Sequence, residues 1–360
     1  MTQDQIQEEL IQKGLNFFKT EKQGFFNVSV RIGKCRITTE ILKTLKKERF
    51  VLIAYPDNKL EQTWKDELEK WKYYDTTDFP PFFVNFSSLK KFKNAKLDAF
   101  IIDEHHSASP AERDLCHQIM TNSKDCITIA LSGTVSKETK EEWGLKEIAS
   151  YTTEEGISAG ILSDYSITVH VVNLDNIIKT PNRRGKLLTE KQKYSALSWV
   201  IDNKRQKGES TMLLALARNR LSLSSIGKIN YTKNLLKQLK GRTVVFTGLT
   251  DVADRLEIPS YHNKSASDKN FLDFQDGKIN QLALAQMAKM GVTFINLNSV
   301  VLLNFTHNEE ETKQQLTRTL KLDYKGKIAD LHVICLQENP ELLKIKQSLS
   351  MLDSSKIKYV

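Results

Sequence analysis

The sequence has few cysteines and no long apolar run, and these absences exclude several kinds of protein. Its four cysteines form no CxxC pair. Their spacing indicates neither a zinc site nor a disulfide framework. It is typical of a protein located in a reducing cytosol. No run of about 18 apolar residues occurs, so no membrane span is predicted. The first residues are acidic and polar, without the basic start and apolar stretch of a secretory signal, and we expect a cytoplasmic protein.

The size of the chain predicts two or three domains, since it has 360 residues. Its composition, 40% hydrophobic and 27% charged, is typical of a globular protein. Lys and Arg outnumber Asp and Glu by 53 to 44, which gives a net charge of +9. A basic surplus of this size is compatible with binding a phosphate backbone, although there is no lysine-rich tail.

Apolar runs of strand type alternate with segments of helical spacing in both halves of the chain. This alternation predicts parallel β-sheets whose faces are covered by helices. Between the halves, residues from about 175 to 235 are polar and rich in Lys, Arg and Asn, which predicts helices that bridge two lobes. The predicted strands are 25–30, 50–55, 82–86, 97–102, 126–131, 243–247, 281–285, 300–305 and 331–336.

The most informative stretch runs from Leu97 to His106, where an apolar run ends in two acids and two histidines. A buried parallel strand is a nearly continuous apolar run, and ligands bind just beyond the carboxyl ends of such strands. There Asp103 can hold a nucleotide-bound Mg²⁺ ion while Glu104 orients the attacking water. The alternative is a strand followed by a solvated acidic turn.

A second candidate, Gly33-Lys34, lies between a predicted strand and a predicted helix over 38–47. A phosphate loop needs a glycine for close backbone approach, a lysine for the phosphates and the amino end of a helix. The match to G-x-x-x-x-G-K-[ST] is partial, because the first glycine would fall at Val28 and Cys35 replaces the Ser or Thr. A plain strand, turn and helix is the alternative, and the acids of the later strand shift the balance toward a phosphate site.

Two further segments can serve the same chemistry. Ser132-Gly133-Thr134 ends the strand after the acidic one, where small hydroxyl residues can link a nucleotide site to a second site. An ordinary Ser-Gly turn is the alternative. Arg318 and Lys321 lie three residues apart in a predicted helix, so they face the same side and can reach a γ-phosphate. A solvated basic helix face is the alternative there.

Together these segments resemble the motifs of a superfamily 2 helicase or translocase, of the minimal kind found in phages. Residues 33–34 resemble the Walker A motif, and residues 103–106 resemble the DEAH-type Walker B box. Residues 132–134 resemble the Ser-Ala-Thr motif, and residues 314–321 resemble the Q-x-x-G-R-x-x-R box. The resemblance extends from about residue 20 to 340.

The resemblance implies an α/β fold of two tandem RecA-like domains with parallel β-sheets flanked by helices. The first domain would span 1–165 and bind ATP, residues 166–235 would form a helical connection, and 236–360 would form the helicase C-terminal domain. ATP and Mg²⁺ are the implied cofactors. The implied partner is nucleic acid, and single-stranded or branched DNA is preferred over other kinds. Proteins of replication or repair are further implied partners, and no membrane is expected as a partner. A phage-encoded protein would act in the host cytoplasm.

The resemblance also assigns roles to single residues of this chain. Catalysis is implied for Lys34, Asp103, Glu104, Arg318 and Lys321. Nucleotide contacts are implied for Arg31, Gly33, Lys34, Cys35, Arg36, Gly291 and Gln314, and the metal for Asp103 and Cys35. Coupling or nucleic-acid contacts are implied for His106, Ser132 and Thr134, and for Pro56 and Asn58 in a strand-end motif that also includes Leu60 and Trp64.

Several residues depart from the family pattern. Cys35 places a soft thiol where a hard cation expects a hydroxyl. Lys321 replaces the expected arginine and lacks its planar fork, and Thr317 replaces a glycine. The leading interpretation is an ATP-dependent helicase or translocase. The alternative is a hydrolysis-weak ATP-binding module that clamps or remodels nucleic acid or inhibits a host factor. A small-molecule enzyme would leave residues 314–321 unexplained.

Overall fold

The structure is a computed structural model that forms two compact units, residues 1–163 and most of residues 164–360. In the part of the chain that it describes, no helix is both long and apolar enough to cross a membrane. It describes all residues except 30, 31, 47, 48, 134, 183, 184, 286–296, 304–327, 339, 340 and 351.

The first unit is an α/β layer structure built on one parallel sheet. Its described strands have the order β3-β2-β4-β5-β1-β6, and every neighbouring pair is parallel. The elements are α1 (Gln3–Phe17), β1 (Gln23–Val28), α2 (Lys34–Leu45), β2 (Val51–Tyr55), α3 (Lys59–Lys70), β3 (Phe82–Asn85), β4 (Ala99–Asp103), α4 (Pro110–Asn122), β5 (Ile127–Ser132), α5 (Lys137–Trp143), β6 (Lys146–Tyr151) and α6 (Thr153–Ser158).

Apolar side chains on both faces explain why this sheet lies inside the unit. Every residue of β2, β4 and β5 is buried. Successive residues of a strand point to opposite faces, and they divide accordingly between two apolar clusters. Ile101 packs into one cluster, whereas its neighbours Phe100 and Ile102 pack into the other. The predicted α/β class with covered parallel sheets is confirmed.

The second unit repeats this architecture. Its main sheet has the order β11-β12-β10-β13-β14-β7-β15 and is parallel throughout, while β8 and β9 form an antiparallel hairpin. The elements are β7 (Asp164–Val172), β8 (Lys179–Pro181), β9 (Leu187–Thr189), α7 (Glu190–Gln206), α8 (Met212–Leu223), α9 (Ile226–Gln238), β10 (Thr243–Thr247), α10 (Thr250–Asp254), β11 (Ser260–Tyr261), α11 (Lys269–Gln275), β12 (Gln281–Ala285), β13 (Ser299–Leu302), β14 (Ile328–Leu336), α12 (Glu341–Leu349) and β15 (Ile357–Tyr359).

The start of the segment expected as a connection, 166–235, is instead a strand of the second sheet. Strand β7 pairs with β14 over nine residues, from Asp164 with Ile328 to Val172 with Leu336. Its burial alternates along most of its length, and it lies next to the short edge strand β15. The helices expected between the lobes are α7, α8 and α9, and they follow the β8–β9 hairpin.

Two buried histidines join neighbouring strands of this sheet. His170 of β7 lies with Nε2 2.9 Å from Nδ1 of His332 on β14. The other nitrogen of His170 is 2.8 Å from the hydroxyl of Tyr231, and Nε2 of His332 is 3.0 Å from the carboxylate of Asp330. The side chains thus form a hydrogen-bonded row across the sheet, from α9 to β14.

Lowering the pH from 7 toward 5 should weaken the fold through His170. Burial, together with the neighbouring His332, lowers the pKa of His170 from 6.5 to about 4. Between these values the unfolded chain binds the proton and the folded chain does not, so the free energy of unfolding falls as the pH falls. Urea unfolding at a series of pH values should show a shallower decline for His170→Gln than for the wild type. Stability at pH 8 gives the reference for each protein, and equal declines would contradict the prediction.

Candidate functional site

Three strands that lie next to one another in the first sheet, β4, β5 and β1, end at the same edge. Their ends are level, because Asp103 pairs with Leu131 and Asn27 pairs with Ser132. The predicted acids, the predicted Ser132 and the loop that leads from β1 to Gly33 therefore meet at the carboxyl edge of the sheet. This is the edge at which open α/β sheets bind ligands.

Gly33 sets the geometry of the loop before α2. Its φ of +106° lies in the left-handed region, and a Cβ there would come 2.1 Å from Nε2 of Gln7. The positive φ favours glycine at this position, and a Cβ would displace the Gln7 side chain. The same Gln7 amide donates to the carbonyl of Ile32 at 2.5 Å, which fixes the loop against α1. Helix α2 begins at the next residue, Lys34, so its unpaired N–H groups lie at this edge of the sheet.

Lys34 and Glu104 are joined across the end of β5. Nζ of Lys34 lies 2.8 Å from Oε1 of Glu104, and both side chains are largely buried. Burial alone would lower the pKa of Lys34, but the carboxylates of Glu104 and Asp103 outweigh it and raise that pKa. Burial alone would raise the pKa of Glu104, but Lys34 and His106 outweigh it and lower that pKa. The ion pair is therefore charged on both sides at neutral pH.

Asp103 is held by two donors at the end of β4. Nε1 of Trp64 donates to Oδ2 at 2.9 Å, and the backbone N–H of Glu104 donates to Oδ1 at 3.0 Å. Burial, then the charge of Glu104, raises the pKa of Asp103 to about 6. Trp64, which the sequence placed in a nucleic-acid motif, is 1% exposed and orients this carboxylate instead. Its helical spacing from Leu60 and Leu68, on the apolar face of α3, was the signal for burial.

The two histidines after the acids have different surroundings. Nδ1 of His106 lies 2.8 Å from the hydroxyl of Ser132 and 3.6 Å from Oε2 of Glu104. His106 thus lies between the acid at the end of β4 and the hydroxyl at the end of β5. His105 points into the unit, where its Nδ1 is 3.0 Å from the carbonyl of Leu131. Burial lowers the pKa of His105 to about 4, so it packs as a neutral ring.

Cys35 and Arg36 occupy positions that the resemblance assigns to nucleotide contacts. Cys35 is half-buried and packs against the apolar cluster beneath α2. Burial, and then the charge of Asp103, raises the pKa of its thiol well above the usual range. The guanidinium of Arg36 bonds to Asp4 and Gln7 and lies 4.4 Å from the ring centre of Trp71. In this structure Arg36 therefore joins α1 to α2.

The predicted nucleic-acid residues that follow β2 lie at the same carboxyl edge. The carbonyl of Pro56 accepts from the side-chain amide of Asn85 at 3.0 Å, and Asn58 is exposed just before α3. Six other predicted site residues lie outside the described part of the chain, so their assignments stay predictions. These are Arg31, Thr134, Gly291, Gln314, Arg318 and Lys321.

The carboxylates of this site suit a magnesium ion that arrives with a nucleotide. Mg²⁺ is usually held by one or two carboxylates together with phosphate oxygens and water. Asp103 and Glu104 bring two buried carboxylates against the single charge of Lys34, and a cation can balance the remaining negative charge. The Cys35 thiol does not fit, because it stays protonated and sulfur is a soft ligand. Asp103 is the residue whose chemistry fits the ion.

Comparison with solved structures identifies the fold. The ATP-dependent type ISP restriction-modification enzyme LlaBIII, solved bound to DNA, matches 98% of this chain with a TM-score of 0.64 at 14% sequence identity. The match covers 31% of LlaBIII, so this chain spans about a third of that enzyme's length. The Hef helicase domain of Pyrococcus furiosus matches 95% of this chain and 97% of its own length, with a TM-score of 0.54 at 12% identity.

A third structure agrees with these two. A fragment described as an HsdR subunit of a type I restriction enzyme, from Vibrio vulnificus, has a TM-score of 0.58 at 15% identity. The match covers 91% of this chain and 63% of the fragment. No model of a known protein family matches the sequence. At these identities the likeness establishes the fold alone, which is two tandem RecA-like domains whose parallel β-sheets are flanked by helices.

Proposed function

We propose that this protein is an ATP-dependent nucleic-acid motor, a helicase or translocase that couples ATP hydrolysis to movement along a strand. The observation that carries the proposal is the contact of 2.8 Å between Lys34 and Glu104, at the carboxyl edge of a parallel sheet. A lysine at the amino end of a helix, a left-handed glycine before it and a carboxylate pair two strands away form a site for a nucleoside triphosphate.

The ion pair suggests how the site responds to ATP. The phosphates bring several negative charges to the amino end of α2, and they compete with Glu104 for Nζ of Lys34. Once Lys34 bonds to phosphate, the Glu104 carboxylate is released and can accept a hydrogen bond from the attacking water. When bound, Mg²⁺ would neutralise phosphate charge, and Asp103 would hold it.

His106 provides a route from this carboxylate to the next strand. Its ring lies between Glu104 and Ser132, so a movement of Glu104 changes a hydrogen bond at the end of β5. We assign His106 and Ser132 to the coupling of nucleotide state to strand contacts. Arg318 and Lys321 remain the proposed cations for the γ-phosphate, as the sequence predicts.

Nucleic acid is the partner that fits the basic chain and the solved structures of the same fold. One of those structures is bound to DNA, and another is named a helicase domain. We propose single-stranded or branched DNA as the partner, with backbone contacts near Pro56 and Asn58. Such contacts go mainly to phosphates, so binding should be salt-dependent and show little sequence preference.

A hydrolysis-weak ATP-binding clamp is the second candidate, and Cys35 favours it. A protonated thiol packed against the core supplies no hard oxygen ligand where the family pattern has a hydroxyl. Such a protein would bind ATP and nucleic acid, but it would turn ATP over slowly whether or not a strand were present.

ATP turnover by the wild-type chain, measured with and without single-stranded DNA, tests the proposal. A motor should hydrolyse ATP and should do so several-fold faster when the strand is present. Tight ATP binding with no turnover under either condition would overturn the motor and support the clamp. Absence of ATP binding would overturn both candidates.

A further inference from the structure

The positive charge of the chain is concentrated in one segment of the second unit. Residues 176–240 contain 15 Lys and Arg but only 3 Asp and Glu, a surplus of 12. The rest of the chain therefore has 38 Lys and Arg against 41 Asp and Glu, and it is slightly acidic. This segment holds the β8–β9 hairpin and helices α7, α8 and α9.

The few acids of the segment do not neutralise this surplus at its surface. Glu190 is buried, and its carboxylate accepts from the backbone of Asp175 and Ile226, each at 2.9 Å, and thereby fixes the start of α9. Glu209 forms an ion pair with Lys204 of the same segment. Only Asp202 remains as an exposed acid among the described residues of the segment.

Some cations of the segment serve the fold. Lys228 and Lys233 pair with acids outside it, and Lys191 lies 3.5 Å from Glu338. Seven other cations of the segment are exposed, and no carboxylate partner is found for them in the described part of the chain. They are Lys179, Lys186, Arg205, Lys207, Arg220, Lys237 and Lys240.

The hairpin that carries Lys186 is fixed to α7. Nζ of Lys193 on α7 donates to the carbonyl of Pro181 at 3.1 Å, and the hydroxyl of Thr189 donates to the side chain of Asn176 at 3.0 Å. The turn closes through a bond of 2.9 Å from the N–H of Asn182 to the carbonyl of Lys186. These bonds fix the backbone of Lys186 in place relative to α7.

The exposed cations extend along a helix pair rather than forming a compact cluster. Lys186 precedes α7, whereas Arg205 and Lys207 lie at its far end, and a helix of this length spans roughly 25 Å. Arg220 lies on α8, which packs on α7 through a bond of 3.1 Å from Arg218 to the hydroxyl of Ser198. Exposed cations spread along this helix pair fit a linear polyanion, in which charges repeat at regular short distances.

We propose that the β8–β9 hairpin and helices α7 and α8 form a second nucleic-acid contact surface, which binds the phosphate backbone. The surface is distinct from the carboxyl edge of the first sheet, where the nucleotide site lies. The inference rests on the proposed function as a nucleic-acid motor. Trp199 lies on α7, between Lys186 and Arg205 in the sequence, and its side chain is 70% exposed. Its fluorescence can therefore report on a strand that binds to this surface.

A triple variant, Lys186→Gln, Arg205→Gln and Arg220→Gln, tests the surface. Binding of a short fluorescein-labelled DNA, as a single strand and as a duplex, is measured without nucleotide over a range of salt concentrations. Each lost phosphate contact lowers the slope of log affinity against log salt by roughly 0.7 to 0.9, so the triple variant should lose roughly 2 to 3. The affinity at moderate salt should fall on the order of tenfold.

The matched control removes three cations from the first unit. They lie at the amino edge of its sheet, opposite the carboxyl edge that carries the nucleotide site. Lys22, Lys96 and Lys124 are exposed and precede β1, β4 and β5, so they lie at the amino edge. Lys22→Gln, Lys96→Gln and Lys124→Gln together should leave the affinity and the salt slope within twofold of the wild type. Equal losses for the two triple variants would show an effect of net charge alone and would overturn the proposal.

Trp199 supplies a local signal. DNA binding should quench its fluorescence, and the Trp199→Phe protein should lose that change while the buried Trp64 and Trp143 continue to emit. Unchanged DNA affinity in the triple variant would overturn the proposal. Because binding is measured without ATP, a chain that binds DNA here but never hydrolyses ATP would refute the motor and leave this surface standing.

Discussion

Glu104→Gln should lower the rate of ATP turnover by roughly 10²- to 10⁴-fold, the usual contribution of a positioned general base. The amide keeps the size of the side chain, but it is a far weaker proton acceptor than a carboxylate. ATP binding should persist, because in the proposed mechanism Lys34 leaves Glu104 when it takes the phosphates. Steady-state turnover and equilibrium binding of a fluorescent ATP analogue separate the two effects.

Two further variants make this result specific. Lys34→Ala removes the cation that would hold the phosphates, so it should weaken nucleotide binding as well as turnover. Glu147→Gln removes another ion-paired glutamate of the same unit, 2.7 Å from Lys140 near the amino end of β6. That control should leave both quantities near the wild-type values. Turnover by Glu104→Gln at the wild-type rate would contradict the assignment.

The core of each sheet was predictable because its strands are continuous apolar runs. Strands β10 and β12 have the predicted bounds, and β2, β4 and β5 differ from prediction by one or two residues. Such a run can be identified without knowing its partners, since both faces are buried. Strand β7, which starts the second unit, has alternating burial. Because polar residues interrupt its apolar ones, the sequence shows no continuous apolar run there.

The candidate site was predictable where one motif supplies both the residue and its place. Asp103 and Glu104 end a recognisable strand, and Lys34 follows a glycine at a helix start. Contacts between distant elements were not predictable. The bond from Trp64 to Asp103 depends on how α3 lies against the sheet, and the bonds that hold Arg36 come from α1. These contacts are set by packing, which short motifs do not encode.

The buried pair of Lys228 and Glu341 is another contact that the sequence does not reveal. Nζ of Lys228, fully buried on α9, lies 2.6 Å from Oε1 of Glu341 on α12 and 3.2 Å from the carbonyl of Leu303. The other carboxylate oxygen accepts from the N–H of Leu336 at 3.0 Å. The pair therefore joins two helices to the carboxyl ends of β13 and β14.

Lys228→Met should lower the free energy of unfolding of the second unit by about 3 to 5 kcal/mol, because it leaves a carboxylate buried without its partner. Hydrogen exchange of the β14 amides measures this loss within the full chain. Lys233→Met breaks an ion pair of the same 2.6 Å length with Glu257, but that carboxylate is 77% exposed. Water can solvate it after the change, so the loss there should be far smaller.

A double variant decides whether the unpaired charge is the cause. Lys228→Met with Glu341→Gln removes both charges, and the amide oxygen of Gln can still accept from Leu336. If Lys228→Met destabilises the unit because it leaves the Glu341 carboxylate buried without a partner, the double variant should be more stable than the single variant. If the cost lies in the lost bond to Leu303 or in poor packing of methionine, the second change should bring no recovery. Recovery would therefore assign the stability of this part of the second unit to charge compensation between α9 and α12.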